Sequence, residues 1–409
     1  MNIVLEPGAA ALLDELHRAG FGAYAVGGCV RDSLLGLAPH DWDLCTAARP
    51  GQVMELFGED RCIPTGLQHG TVTVKRDGKL YEITTFRTEG RYSDGRHPDS
   101  VAFVPDLRED LARRDFTINA MAYSAEEGLC DPFGGREDLA RGMVRAVGEP
   151  LRRFGEDALR ILRLYRFAAR FGFAIDEATE AAAKQLASHL DCVSAERIEE
   201  ELNKLLAAPQ PGAYLEPEVL AFVLPELPPE ELTKARRRID ALPAGTEQVS
   251  ARWAALLLPL GEAGARKALK RLKCSNARID GAAALVRECG EKTPDALDKC
   301  DLCLQAKRLL GKYDLHTVQQ LTALWTALAP EEKASFDALR AEAEALTAQG
   351  VCCRISQLAV NGRDLMAAGA APGPGLRRVL EALLEEVITG RLPNEKTELL
   401  AFVAGFSAS

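Results

Sequence analysis

The sequence predicts a mixed α/β head over residues 1–150 followed by an all-helical remainder. Three observations lead there. Short β-rich runs bounded by Gly, Asp or Pro crowd the first 150 residues. Beyond residue 151, Ala, Leu, Glu and Arg dominate, β-branched residues thin out, and Pro and Gly act mainly as punctuation. Finally, 409 residues at 44.3 kDa exceed one compact domain, and about two to four are expected.

Taken in order, the first twenty residues place Leu12, Leu13 and Leu16 on one helical face. Strand-like runs follow at Tyr24-Ala25-Val26, at 71–75, at 81–86 and at 101–104. Asp77-Gly78 between the second and third is a strong hairpin signal. Helical periodicity is otherwise absent from the head. Pro-rich breaks at 209–217 and 225–229 subdivide the helical part, 369–375 reads as a loop, and no internal repeat is evident.

Composition bounds the partner and the compartment. Hydrophobic residues make up 47% and charged residues 27%, which suits a globular chain with a sizeable core. Eleven cysteines at irregular spacing are too sparse for a disulfide scaffold. Cys300-Asp-Leu-Cys303 and the vicinal Cys352-Cys353 lack the partners of a zinc site, so they read as buried free thiols. Glu6 and Asp14 rule out a signal peptide, and the longest apolar run, 253–261, contains Pro259 and is too short for a membrane. A cytoplasmic chain without membrane contact is expected. The net charge of −10 alone argues against a nucleic-acid partner.

The most informative segment is Tyr24-Ala-Val-Gly-Gly-Cys-Val-Arg-Asp32, followed by Asp41-Trp42-Asp43. Carboxylates at i and i+2 of a strand share a face and can hold one or two divalent cations. Gly27-Gly28 lets backbone approach an anion, and Arg31 offers a guanidinium to phosphate. An Asp-x-Asp alone is ordinarily a solvated turn; with the Gly-Gly and Arg before it, the segment reads as a metal–triphosphate site.

Further on, Glu156 to Phe171 reads as one helix with Ile161, Tyr165 and Ala168 on one side. Arg160, Arg163, Arg166 and Arg170 gather on the other, either as a solvated face or as a working one. Asp157 and Arg160 fall within one turn.

These motifs resemble the nucleotidyltransferase superfamily that includes DNA polymerase beta, and more narrowly the class II tRNA nucleotidyltransferases (CCA-adding enzymes) and bacterial poly(A) polymerases. The resemblance runs through 81–87, Arg113-Arg-Asp-Phe-Thr-Ile-Asn-Ala120, 131–139, Glu156-Asp-Ala-Leu-Arg-Ile-Leu-Arg163 and Ser194-Ala-Glu-Arg-Ile198. It covers residues 20–206; the rest matches only in helical character and in Asn361-Gly-Arg-Asp-Leu365.

The resemblance implies an α+β nucleotidyltransferase head of the DNA polymerase beta type (1–150), then an all-α neck (151–215), body (216–330) and tail (331–409). It implies Asp41 and Asp43 as catalytic ligands of two magnesium ions, with tRNA, CTP and ATP as partners. Gly28 and Arg31 would meet the nucleotide phosphates, and Arg114, Arg163 and Arg166 would make further nucleotide contacts. Glu82 stands where a third acid would be sought, or is an exposed strand glutamate. Asp157 and Arg160 match the pair that selects bases without a template. A carboxylate only accepts and a guanidinium only donates, so together they fit cytosine and adenine and repel guanine and uracil.

The polar run 88–98 resembles the flexible loop of enzymes that add the final A. A poly(A) polymerase would carry a basic-aromatic signature where this chain has Pro64 to Thr71, and a CC-adding enzyme would lack the loop. An inactive RNA-binding scaffold is disfavoured because both aspartates are present, and six dispersed histidines exclude a fused phosphohydrolase. Local charge also revises the first inference. Residues 136–170 hold nine Arg against five acids, and two further basic stretches, around 266–278 and 234–238, are candidate phosphate contacts.

Overall fold

The computed structural model describes residues 3–90, 101–290, 302–368 and 373–406. They pack into two compact units, 1–230 with 271–273 and 231–270 with 274–409.

The first unit opens with α1 (Pro7–Arg18), which buries Leu12, Leu13 and Leu16 as its periodicity requires. It leads into β1 (Ala23–Val26), α2 (Gly28–Leu34), β2 (Leu44–Thr46), α3 (Pro50–Phe57), β3 (Cys62–Gly66), β4 (Thr71–Arg76) and β5 (Lys79–Thr85). After β6 (Arg87–Glu89) and β7 (Val101–Phe103) come α4 (Leu107–Ala112), β8 (Ala122–Ser124), β9 (Gly128–Cys130) and α5 (Gly135–Arg141). Seven strands form one sheet in the order β3-β4-β5-β2-β1-β8-β9, antiparallel except for β2 against β5. Among the described residues β6 and β7 pair only with each other, so the expected strand at 101–104 belongs to a separate ribbon. The Asp77-Gly78 hairpin is confirmed. Arg76 pairs with Lys79, and both turn residues have positive φ, as a two-residue primed turn demands.

Helices α2 to α5 are a correction to the sequence reading, which placed helical periodicity only in α1. They run six to eight residues, shorter than a window in which a 3.6-residue period stands out. The core beside the sheet joins Tyr24, Val26, Cys45, Phe86, Leu111, Ala120, Ala122 and Val147.

A short parallel pair, β10 (Met143–Val144) with β11 (Ala174–Ile175), brackets α6 (Pro150–Glu156) and α7 (Leu159–Phe171). The single helix expected from Glu156 to Phe171 is therefore broken. Asp157 is extended (φ −145°, ψ 104°), and its side chain caps the new start by accepting from the Leu159 N–H at 3.0 Å. The unit continues with α8 (Glu177–Gln185), α9 (Ala195–Leu206) and α10 (Pro217–Val223).

The second unit is helical: α11 (Leu232–Asp240), α12 (Val249–Leu257), α13 (Gly261–Arg271), α14 (Asn276–Gly290), α15 (Leu302–Lys312), α16 (Leu315–Leu328), α17 (Lys333–Ala348), α18 (Gly362–Ala367), α19 (Pro374–Ile388) and α20 (Lys396–Phe406). α12 is buried almost all round, Trp253 completely. A second core gathers Leu358, Val360, Leu365, Leu383, Leu399 and Val403. Two basic stretches proposed for phosphate are partly neutralised: Arg266 pairs with Glu262 (3.1 Å) and Asp280 (2.7 Å), and Lys234 with Glu231. Among the described residues no helix is long and apolar enough to cross a membrane, and the described cysteines are free; Cys352 and Cys353 are buried as expected, whereas Cys303 is exposed. The expected flexible loop falls largely on residues 91–100, outside the described residues, as does Cys300.

Candidate nucleotide site

The first unit carries a cavity of about 430 Å³ where β1, α2, α7 and α9 converge with the Arg113-Arg114-Asp115 segment. Its wall includes eight arginines (31, 113, 114, 160, 163, 166, 170 and 197) against Asp43, Asp115 and Asp157. Of the residues expected at the site, Gly28, Arg31, Asp43, Arg114, Asp157, Arg160, Arg163 and Arg166 all line it. Asp41 does not. It is exposed, with its carboxylate 3.0 Å from His40.

The Gly-Gly turn is required by close approach. Gly27 sits at φ +78°, and a Cβ there would stand 2.9 Å from the Arg114 guanidinium. Asp41-Trp42-Asp43 lies in a segment without regular secondary structure just before β2 rather than on a strand. Pairing nonetheless reaches Asp43, whose carbonyl accepts from the Val26 N–H at 3.0 Å. Partial withdrawal from water pushes the Asp43 carboxyl above its ordinary range. Arg114 opposes this, and the charges of Glu82 and Asp41 add to it. Glu82, exposed on β5, thus acts on the same carboxylate as Asp41. Among the described residues, however, no group of three His, Cys, Asp or Glu side chains is assembled around a metal position.

A charged chain ties the turn to α7. Arg31 is buried, and donates to Asp32 (2.8 Å) and to the Asn119 side-chain oxygen. Asn119 donates to Asp115 (3.0 Å), and Asp115 also accepts from Arg163 Nε (2.8 Å) and from its Nη2. Burial opposes charge on Asp115, but Arg163, Asn119 and Arg160 hold its carboxyl far below the usual range. Beneath the segment, the fully buried Asp110 accepts from Arg113 Nε (3.0 Å), Arg114 (3.4 Å) and the Arg87 N–H (3.2 Å).

The arginine side of α7 is not a solvated face. Arg160 and Arg166 are nearly buried, and only Arg170 is about half exposed. Arg160 donates to Glu156 and to the carbonyls of Arg153 and Arg113, each at 3.0 Å. Asp157 and Arg160, the two residues expected to read the base, both line the cavity, and Asp157 Oδ2 accepts from Arg197 on α9 at 3.1 Å. One turn along α9, Glu201 lies 2.7 Å from Arg166. Burial lowers Arg166 to about 10, with Glu201 opposing.

Sequence reasoning assigned no role to Arg197, Glu201, Asn119 or Phe167. A signal for Glu201 was present: with Ile198, Leu202 and Leu205 it occupies the i, i+3, i+4, i+7 stripe that α9 buries. A carboxylate in such a stripe requires a buried cation.

Comparison with known proteins now bears on this geometry. Residues 23–145 match the poly A polymerase head domain, 172–228 the probable RNA and SrmB binding site of polymerase A, and 245–403 the tRNA nucleotidyltransferase domain 2. The CCA-adding enzyme of Limosilactobacillus fermentum is 38% identical over 405 residues, 95% of this chain and 94% of that one. The CCA-adding enzyme of Latilactobacillus sakei is 39% identical over 95% of each chain. The crystal structure of the Bacillus stearothermophilus CCA-adding enzyme in complex with CTP is 33% identical, with a TM-score of 0.82, over 99% of this chain and 98% of its own.

Proposed function

This chain belongs to the CCA-adding enzymes, and from that membership we propose how its own residues build the 3′ CCA of tRNA from CTP and ATP. It is a tRNA nucleotidyltransferase. One observation supports the site assignment most: a cavity able to take a nucleotide, with eight guanidiniums facing three carboxylates. A triphosphate brings about four negative charges, and a wall with a formal excess of five positive charges (eight minus three) suits it.

In this reading Gly28 and Arg31 meet the phosphates, and Arg114, Arg163 and Arg166 complete the cradle. Asp157 accepts a hydrogen bond from the amino group of cytosine or adenine, and Arg160 donates to the unprotonated ring nitrogen. Asp157 keeps that capacity because each carboxylate oxygen has a second lone pair beyond those given to Leu159 and Arg197. A template strand is unnecessary when protein groups read the base edge.

The donor set fits magnesium. Asp41 and Asp43 offer hard oxygen ligands, their mutual charge favours a cation, and nucleotide oxygens and water would complete the shell. When bound, the ion would assist attack of the primer 3′-hydroxyl on the α-phosphate and neutralise the departing pyrophosphate. The protein's share is orientation: the arginine wall fixes the triphosphate while Asp157 and Arg160 fix the base.

The test is extension of tRNA ending before the first C, the second C or the terminal A, with sequenced products. Addition of C, C and A in order is expected. Long A tails would install a poly(A) polymerase, and arrest after two C residues would install a CC-adding enzyme.

A further inference from the structure

A pair of phenyl rings stands between the glycine turn and the arginine side of α7. Phe167 and Phe171 are one helical turn apart, and their rings stack with centroids 6.3 Å apart and planes 3° from parallel. Guanidinium groups cover them. Arg31, from α2, reaches both rings at 5.3 and 5.0 Å; Arg166 and Arg163 lie 4.0 and 5.4 Å from Phe167; Arg170 lies 4.9 Å from Phe171. All four arginines line the cavity.

Four like charges so close together repel. Asp32, Asp115 and Glu201 supply three negative charges, so the cluster keeps one positive charge in formal excess (four minus three). A phenyl face carries the negative lobe of the ring quadrupole, so it offsets cation charge without taking a hydrogen-bond donor. Stacking uses the flat face of a guanidinium, whereas its N–H groups point outward in the plane. A fourth carboxylate would capture those donors and repel a triphosphate. A ring does neither.

We propose that Phe167 and Phe171 are positioning residues for nucleotide binding: their stacked faces hold the pocket arginines in register with their N–H edges turned toward the nucleotide. Through Arg31 the rings also join the phosphate turn on α2 to the base-reading helix α7. This inference rests on the cavity being the nucleotide site.

The experiment replaces Phe167 with mono-, di- and trifluorophenylalanine, which keep the ring's volume while draining its face of negative charge. Equilibrium binding of CTP and of ATP is measured, with kcat and KM for tRNA extension and the denaturation midpoint. Dissociation constant and KM are expected to rise stepwise with each fluorine, to roughly tenfold at the trifluoro ring. kcat should stay within about twofold and the midpoint should not move, as a role in packing alone would not produce. The same series at the half-buried Phe171 should show a weaker trend, and at Phe57, buried on α3 away from the cavity, none. A flat response at both Phe167 and Phe171, or an equal response at Phe57, overturns the proposal. Should the unmodified chain fail to bind CTP, the nucleotide-site assignment falls; should it bind while the series stays flat, only the role of the rings falls.

Discussion

The contact between Arg197 and Asp157 yields the sharpest prediction. Both side chains are largely withdrawn from water, 18% and 13% exposed, so solvent screens their 3.1 Å contact little. Replacing Arg197 with Met keeps the apolar stem against α9 and removes the charge. A charge-assisted hydrogen bond of this kind contributes about 1.5–3 kcal/mol. Asp157 keeps its bond to the Leu159 N–H, so the backbone break should survive while the free oxygen loses its orientation. If that orientation is used in reading the base, kcat/KM for CTP should fall by about tenfold to a hundredfold. Discrimination against UTP should fall with it. The assay is single-turnover extension of tRNA lacking its terminal CCA at subsaturating CTP, repeated with UTP. A cycle with Asp157→Asn should be strongly non-additive. Unchanged kcat/KM and unchanged discrimination in Arg197→Met would refute the reasoning.

Other predictions touch different parts of the molecule. Asp43→Asn should retain CTP binding yet lose turnover by roughly a thousandfold, and a chelator should stop the native chain until magnesium is restored; full activity in chelator would remove the metal assignment. Asp110→Asn should cost about 3 kcal/mol in urea denaturation, because Arg113 and Arg114 lose a fully buried counter-charge. Glu6 gives a pH dependence: burial raises its carboxyl, but hydrogen bonds from Tyr81, Lys79 and the Ala9 N–H outweigh it and set the value at about 2 instead of 4.5. The folded state therefore binds fewer protons there, so this stability is present above pH 4.5 and is lost as pH falls toward 2. Glu6→Gln should flatten the acid limb by about 1 kcal/mol in denaturation across that window, since the exposed Lys79 end of the cluster is screened by solvent.

The strands at 24–26, 71–75 and 81–86, the hairpin at Asp77-Gly78 and the buried stripe of α1 were legible in the sequence because each follows from local geometry, whereas the order in which the strands pair was not. Most pocket residues were legible too, through motifs whose chemistry is local to a few positions. What escaped depended on distance along the chain. Gly155 and Asp157, a favoured capping type, are a weak local signal that a helix begins at Leu159, and it is masked because Glu156 to Leu164 is otherwise composed largely of strong helix formers. Arg197 lies 40 residues from the carboxylate it holds, and the burial of Arg160 and Arg166 is imposed by what packs against them. Periodicity placed those arginines together on one side of a helix; only tertiary structure decides that this side is a wall and not a surface.

The ends of the seven-stranded sheet have a consequence for how the protein behaves when concentrated. Unpaired strand edges are templates on which a second chain can add itself and begin aggregation. At one edge, β3 carries Pro64, which has no N–H to offer, and its register slips between Ile63 and Gly66. At the other, β9 is three residues long. Neither edge presents a long flat row of donors and acceptors, so both are poor templates for lengthening by the protein's own copies.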